Sequence, residues 1–303
     1  MAPALKSDAP VFLVGSTATG KSTLALDLAR KTGAAILTMD AMQVYREADI
    51  GTSKPTSAER AEIPHGGLDL AAFGENFDVA QYLNHAGTFL REQREANRRV
   101  IVVGGTGLYF RALTQGLCEA PQGPDKLRAE LSALSVPELQ ERLRKIDPAM
   151  LERLDISNPR RLARAIEVKE TTGRSLADWQ DETPEPLVPD FTAFWIQREK
   201  EELHERIAAR VDAMFAQGWV EEVRGLIARH GIEAVQRFPG IGYREIAERV
   251  QPGKSPESAK GDIFVTTRQY AKRQLTWFRR EHNLKEVMLS GNQPIPAALL
   301  SLF

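Results

Sequence analysis

Cysteine is nearly missing from this chain: Cys118 is the only one in 303 residues. One thiol cannot close an internal disulfide, and no multi-cysteine metal site can be built from it. It reads as a small, semi-buried apolar side chain. Long apolar runs are missing too, so no segment approaches the ~18 residues that suggest a membrane span. The stretch Met1–Pro10 has two prolines and no apolar core, and does not read as a signal peptide. Net charge is the third absence: 40 Lys and Arg against 41 Asp and Glu leave −1. A globally basic surface is thereby excluded, and any polyanionic partner has to be met by local patches. These absences point to a reducing cytoplasm, and the length suffices for one large domain or two smaller ones.

What is present is a phosphate-binding motif. Gly15-Ser16-Thr17-Ala18-Thr19-Gly20-Lys21-Ser22 fits G-x-x-x-x-G-K-[ST]. Val11–Val14 before it reads as a strand, and Thr23–Arg30 after it as a helix. In that setting successive N–H groups and a helix N-terminus point at an anion. Lys21 adds a point charge, and the Ser22 hydroxyl is a ligand for Mg²⁺. The loop implies a bound di- or triphosphate without saying what happens to it.

Ala34–Met39 reads as a second buried strand that delivers Asp40 at its carboxyl end. Ligands of open α/β sheets sit beyond those ends, so Asp40 is expected to share a crevice with the loop. Metal ligand, general base and structural cap compete for that place, whereas a ribose ligand belongs to the G-x-G-x-x-G dinucleotide fold, and this loop is not of that type. Ile50–Pro55 and Pro64–Asp69 read as loops, and Phe77–Asn97 has helical spacing. Val100–Val103 is a third strand, running into a second glycine-rich turn, Gly104-Gly105-Thr106-Gly107.

From Pro124 to about Gln180 only helices are expected: 126–134, 136–146, 149–153, 159–171 and 175–180. The proline-rich segment 183–189 ends the block, and Phe191–Ile196 resumes as a strand. This order predicts an α/β core with a central parallel sheet (residues 10–116 and 191–290) and an inserted all-helical domain (117–190).

Three segments carry local charge. Arg160, Arg161 and Arg164 cluster at a helix start, either as a solvated face or as an anion contact. Arg198–Gln217 is an amphipathic helix with Arg206 and Arg210 beside its stripe. Arg268–Arg280 holds five cations and no acid, interleaved with aromatics. That is a surface helix with a packing face, or a site where cations meet phosphates and rings meet unpaired bases.

In this order the motifs resemble the bacterial tRNA dimethylallyltransferases, essentially end to end. The residues concerned are Gly15–Ser22, Asp40–Tyr45, Ile50–Pro55, Val103–Tyr109, Asn158–Ala165, Gly240–Glu245 and Tyr270–Trp277. The chain departs from the family pattern at Ser16, where proline is usual, at Ala41, where serine is usual, and at Gly66-Gly67. A zinc-finger extension is not expected, since one cysteine cannot build it.

The resemblance implies transfer of a dimethylallyl group from dimethylallyl diphosphate to N6 of adenine 37 in tRNAs reading codons that begin with U. Asp40, Thr17, Lys21 and Thr106 would be the catalytic set. Gly15–Ser22 (Ser16, Ala18, Thr19 and Gly20 included) and Arg210 would hold the diphosphate with Mg²⁺ on Ser22. The tRNA anticodon stem-loop would meet Asp40, Ala41, Met42, Gln43, Thr106, Arg128, Arg160, Arg161, Leu162, Ala163 and Arg164. It would also meet Pro239, Gly240, Ile241, Gly242, Tyr243, Arg244, Lys272, Arg273, Gln274, Thr276, Trp277 and Arg279. A cytoplasmic monomer without a membrane partner is expected. The rival readings are a P-loop kinase of a small molecule or nucleoside, an RNA-binding protein with a vestigial loop, and a transferase acting on free AMP.

Overall fold

Val11–Val14 forms β1, Lys21–Thr32 forms α1 and Ala35–Met39 forms β2 in a computed structural model that describes residues 9–251, 253–291 and 297–300. Both strands are buried along their whole length, hence their unbroken apolar sequence. A capping box of Thr56 and Glu59 starts a short helix, α2 (Ser57–Glu62), and the two-residue strand β3 (His65–Gly66) follows. The sequence shows only loops here, because two paired residues cannot display a period. Asp78 caps α3 (Val79–Glu95) by accepting from the Gln81 N–H. Next come β4 (Val100–Gly104) and α4 (Gly107–Gln115).

Five helices then run without a strand: α5 (Asp125–Ala133), α6 (Val136–Ile146), α7 (Met150–Arg153), α8 (Pro159–Thr172) and α9 (Leu176–Asp181). The remainder holds β5 (Thr192–Gln197), α10 (Lys200–Ala216), α11 (Trp219–His230), α12 (Ile232–Arg237), α13 (Tyr243–Ala247), α14 (Ala259–Phe278) and β6 (Leu284–Met288). The chain separates into two compact units, one running to Thr114 and resuming at Val188, the other being Gln115–Leu187. The second unit packs Leu131, Leu139, Leu143, Met150, Leu162 and Ile166 into its own core.

The sheet of the first unit is parallel throughout, in the order β3-β2-β4-β1-β5-β6. Phe12, Val14, Leu37, Val102 and Trp195 enter the core on one face. Their neighbours Val11, Leu13, Ile36, Ile101, Phe194 and Ile196 enter the core on the other. The edge strand β6 escapes sequence reading because Lys285 and Glu286 face solvent. Parallel pairing in register brings Val14, Met39 and Gly104 level with one another. Gly15, Asp40, Gly105 and Arg198 therefore leave the sheet at one end.

Candidate active site at the carboxyl ends of the strands

The loop after β1 is held from two sides. From β5 and α10, Arg198 Nε donates to the Thr19 carbonyl at 2.8 Å, and Arg206 Nε to the Ala18 carbonyl at 2.9 Å. Arg210 Nη1 donates to Thr17 Oγ1 at 2.6 Å. From α14, Gln274 Oε1 accepts the Thr17 N–H at 2.8 Å. Gly15 has φ 153°, and a Cβ there would lie 2.4 Å from the Ile196 carbonyl oxygen, so β1 and β5 could not pair this closely with another residue. Within the loop, Thr19 Oγ1 and Lys21 Nζ both donate to the Ser16 carbonyl, at 3.0 and 2.9 Å. Thr19 is fully buried, so its hydroxyl braces the loop instead of facing a ligand. Ser22 is exposed in the first turn of α1.

Asp40 closes the crevice. Its Oδ1 accepts the Met42 N–H at 2.8 Å, and Oδ2 has no hydrogen-bond partner among the described residues. One oxygen thus serves as the structural cap and leaves the other available to a ligand. Thr106 Oγ1 accepts the Ala41 N–H at 3.1 Å. Burial pushes the Lys21 ammonium down to about 8, nearby Arg210 pushes it further the same way, and Asp40 opposes both. Burial also lowers Arg210, again opposed by Asp40. Burial and the Asp40 charge raise the Tyr270 phenol. Two desolvated cations, a carboxylate and a row of loop amides therefore face the same space. Electrostatically this is a site for a polyanion with a proton acceptor beside it.

The surfaces expected to meet RNA divide. Arg160, Arg161, Arg128, Pro239, Arg244, Lys272, Arg273, Thr276 and Arg279 are exposed. Arg128 pairs with Asp125 on its own helix, and Arg244 with Glu248 just past the end of α13. Ala163, Ala41, Met42 and Ile241 are partly buried.

Others of the expected residues are partly or wholly internal. Leu162 is fully buried, because its place on α8 faces the insert core. Arg164 is committed to the Ala120 and Pro121 carbonyls and to Glu167. Gln43 is buried and donates to the Thr52 and Ser53 carbonyls. Gly240, Gly242 and Tyr243 are buried, and the Tyr243 hydroxyl donates to Glu222 at 2.7 Å. Trp277 is half-buried, with Arg111 over its ring at 5.0 Å. Gln274 is buried and joined to the phosphate loop.

Arg198 and Tyr270 are site residues that sequence reading misses. Arg198 had a signal, since it stands just past a core strand as Asp40 does. Tyr270 had none, because its inward direction depends on how α14 packs.

Sheet and loop together define a P-loop α/β protein. The chain belongs to the IPP transferase family, whose family model matches residues 43–281. It is 45% identical to the tRNA dimethylallyltransferase of Methylacidiphilum infernorum over 92% of this chain and 85% of that one. It is 42% identical to that of Geobacter metallireducens over 93% of both. Among solved structures, the tRNA isopentenylpyrophosphate transferase of Bacillus halodurans superposes with TM-score 0.63 at 31% identity, over 93% of this chain and 90% of that one. A eukaryotic dimethylallyltransferase acting on tRNA superposes with TM-score 0.80 over 93% of this chain and 74% of that one; at 24% identity that likeness concerns the fold. The fold is P-loop NTPase-like. No helix among the described residues is long and apolar enough to cross a membrane.

Proposed function

We propose that the protein transfers the dimethylallyl group of dimethylallyl diphosphate to N6 of adenine 37 in tRNAs reading codons that begin with U, releasing diphosphate. The observation that carries this reading is the pairing of a buried cationic loop with Asp40 in one crevice, in a chain of the IPP transferase family. Ionisation of the allylic C–O bond leaves positive charge on carbon and negative charge on the diphosphate. Loop N–H groups, Lys21 and Arg210 stabilise the departing anion from fixed, desolvated positions. The adenine amine gains nucleophilicity as its proton is removed, and Oδ2 of Asp40 is the acceptor for that proton. Thr106, oriented by the Ala41 N–H, holds the base.

Mg²⁺, when bound, would neutralise charge on the leaving diphosphate, with Ser22 as its protein ligand. The Ser22 hydroxyl, an oxygen donor exposed in the first turn of α1, fits such an ion, and substrate oxygens and waters would complete the shell. The adenine must leave the anticodon-loop stack to reach the crevice. Arg128, Arg160, Arg161, Arg244, Lys272, Arg273 and Arg279 would then grip the stem-loop through its phosphates, with the protein acting as a cytoplasmic monomer.

The test is incubation of the pure protein with undermodified tRNA and radiolabelled dimethylallyl diphosphate in the absence of ATP. Label should enter tRNA as N6-(dimethylallyl)adenosine, identified by mass spectrometry of the nucleosides. No label in tRNA, with ATP hydrolysis on addition of ATP, would establish the kinase instead. Strong competition by excess AMP would point to a free-nucleotide acceptor.

A further inference from the structure

Helix α14 presents two unlike faces. Lys272, Arg273, Thr276 and Arg279 are exposed, whereas Tyr270 and Gln274, one turn apart, point inward at the ends of the core strands. Gln274 is 6% exposed and uses both ends of its amide. Oε1 accepts the Thr17 N–H at 2.8 Å, and Nε2 donates to the Gly105 carbonyl at 2.9 Å. One side chain therefore bridges the phosphate loop after β1 and the glycine-rich turn after β4. The fit is tight: a Cβ on Gly105 would stand 2.1 Å from Gln274 Nε2 and 2.9 Å from the Gly15 carbonyl oxygen. Thr17, whose amide the bridge holds, is also the residue whose hydroxyl receives Arg210.

We propose that Gln274 is a positioning residue that sets the phosphate loop and couples it to whatever seats on the exposed face of α14. The two strand ends require one bond of each kind, and an amide accepts through its oxygen and donates through its nitrogen without carrying charge. A lysine or arginine could not accept from Thr17, and a carboxylate could not donate to Gly105. The helix that carries the bridge is itself anchored, since Ala271 of α14 packs against Leu203 and Ile207 of α10. A polyanion that draws on Lys272, Arg273 and Arg279 therefore pulls on the helix that holds the loop. Coupling of this kind is reciprocal: the phosphate ligand and the RNA should raise each other's affinity by the same factor. The coupling half rests on the proposed RNA-modifying function; the loop-setting half does not.

The experiment uses the full chain and inorganic diphosphate with Mg²⁺ as the probe, titrated calorimetrically with and without an unmodified anticodon stem-loop. Gln274→Met keeps the volume and removes both bonds. It should weaken diphosphate binding roughly tenfold, raise KM for dimethylallyl diphosphate while leaving KM for tRNA near its original value, and abolish the mutual enhancement. Gln274→Glu provides the second variant. Its protonated carboxyl both accepts and donates, as the amide does, so its diphosphate affinity relative to wild type should recover as pH falls through the carboxyl range. A purely structural role would show no such recovery. Wild-type diphosphate affinity in Gln274→Met, or a Gln274→Glu ratio independent of pH, overturns the proposal. Loss of diphosphate affinity with no enhancement by the stem-loop even in wild type leaves loop positioning standing and removes the coupling. Failure of wild type to prenylate tRNA would count against the functional reading alone, since the diphosphate titration does not depend on it.

Discussion

Helices α10 and α14 both carry cations, and the fold uses them in opposite ways. Arg206 and Arg210 on α10, with Arg198 just before it, turn inward onto the loop, and Arg210 is desolvated there. On α14 the cations turn outward, and the inward positions go to the neutral Tyr270 and Gln274. The difference follows from what each surface has to hold. A small polyanion that departs with developing charge is stabilised by fixed charges shielded from water. A nucleic-acid backbone is gripped by exposed charges that release counterions. The same contrast holds in the insert, where Arg160 and Arg161 are exposed while Arg164 is tied to carbonyls and Glu167.

The contrast breaks most sharply at the crevice. Asp40→Asn and Arg210→Ala should each lower single-turnover transfer by roughly 10²–10⁴-fold with stem-loop affinity within about twofold of wild type. Unchanged turnover in Asp40→Asn would remove Asp40 as proton acceptor. On the outer surface the pattern should invert. Lys272→Ala, Arg273→Ala or Arg160→Ala should weaken stem-loop binding by roughly three- to tenfold and lower its salt slope by about 1 for each phosphate no longer neutralised. Diphosphate affinity should be unaffected, and a change there would place these side chains in the wrong class.

Lys21 adds a pH dependence. Its folded value of about 8 lies below the unfolded 10.5, because burial disfavours the charge. Between those values the unfolded chain binds more protons, so the folded state gains stability as pH rises from 8 toward 10.5. Lys21→Met should therefore melt higher than wild type at neutral pH, with the gap closing above pH 8. Diphosphate affinity of the wild-type protein should fall over the same range as the ammonium is lost, and flat profiles in both measurements would contradict the burial of Lys21.

The smallest effect belongs to Ser16. Its buried Oγ has no hydrogen-bond partner among the described residues. Ser16→Ala should leave stability unchanged or raise it by no more than about 1 kcal/mol, read as a shift of Tm.

Much of this arrangement was readable from residue order. Buried parallel strands have to be continuous apolar runs, so β1, β2, β4 and β5 were visible, and their carboxyl ends fixed the place of Gly15–Ser22 and Asp40. The insert helices carry their own amphipathic stripes, and α5 to α9 fall within a residue or so of where spacing puts them. The strands β3 and β6 were hidden, one by its length and the other by its solvent-facing charges. Which way a polar side chain points was not legible either. Gln274 and Lys272 sit two residues apart in one basic stretch, and nothing local distinguishes the buried amide from the exposed cation. That choice depends on the phase of α14 against the sheet, which long-range packing sets. Local periodicity and spacing thus determined the fold class and the place of the phosphate loop and Asp40 at one end of the sheet. Only the tertiary structure decided which arginines face the phosphate loop, which face solvent, and that one glutamine joins the two glycine-rich turns.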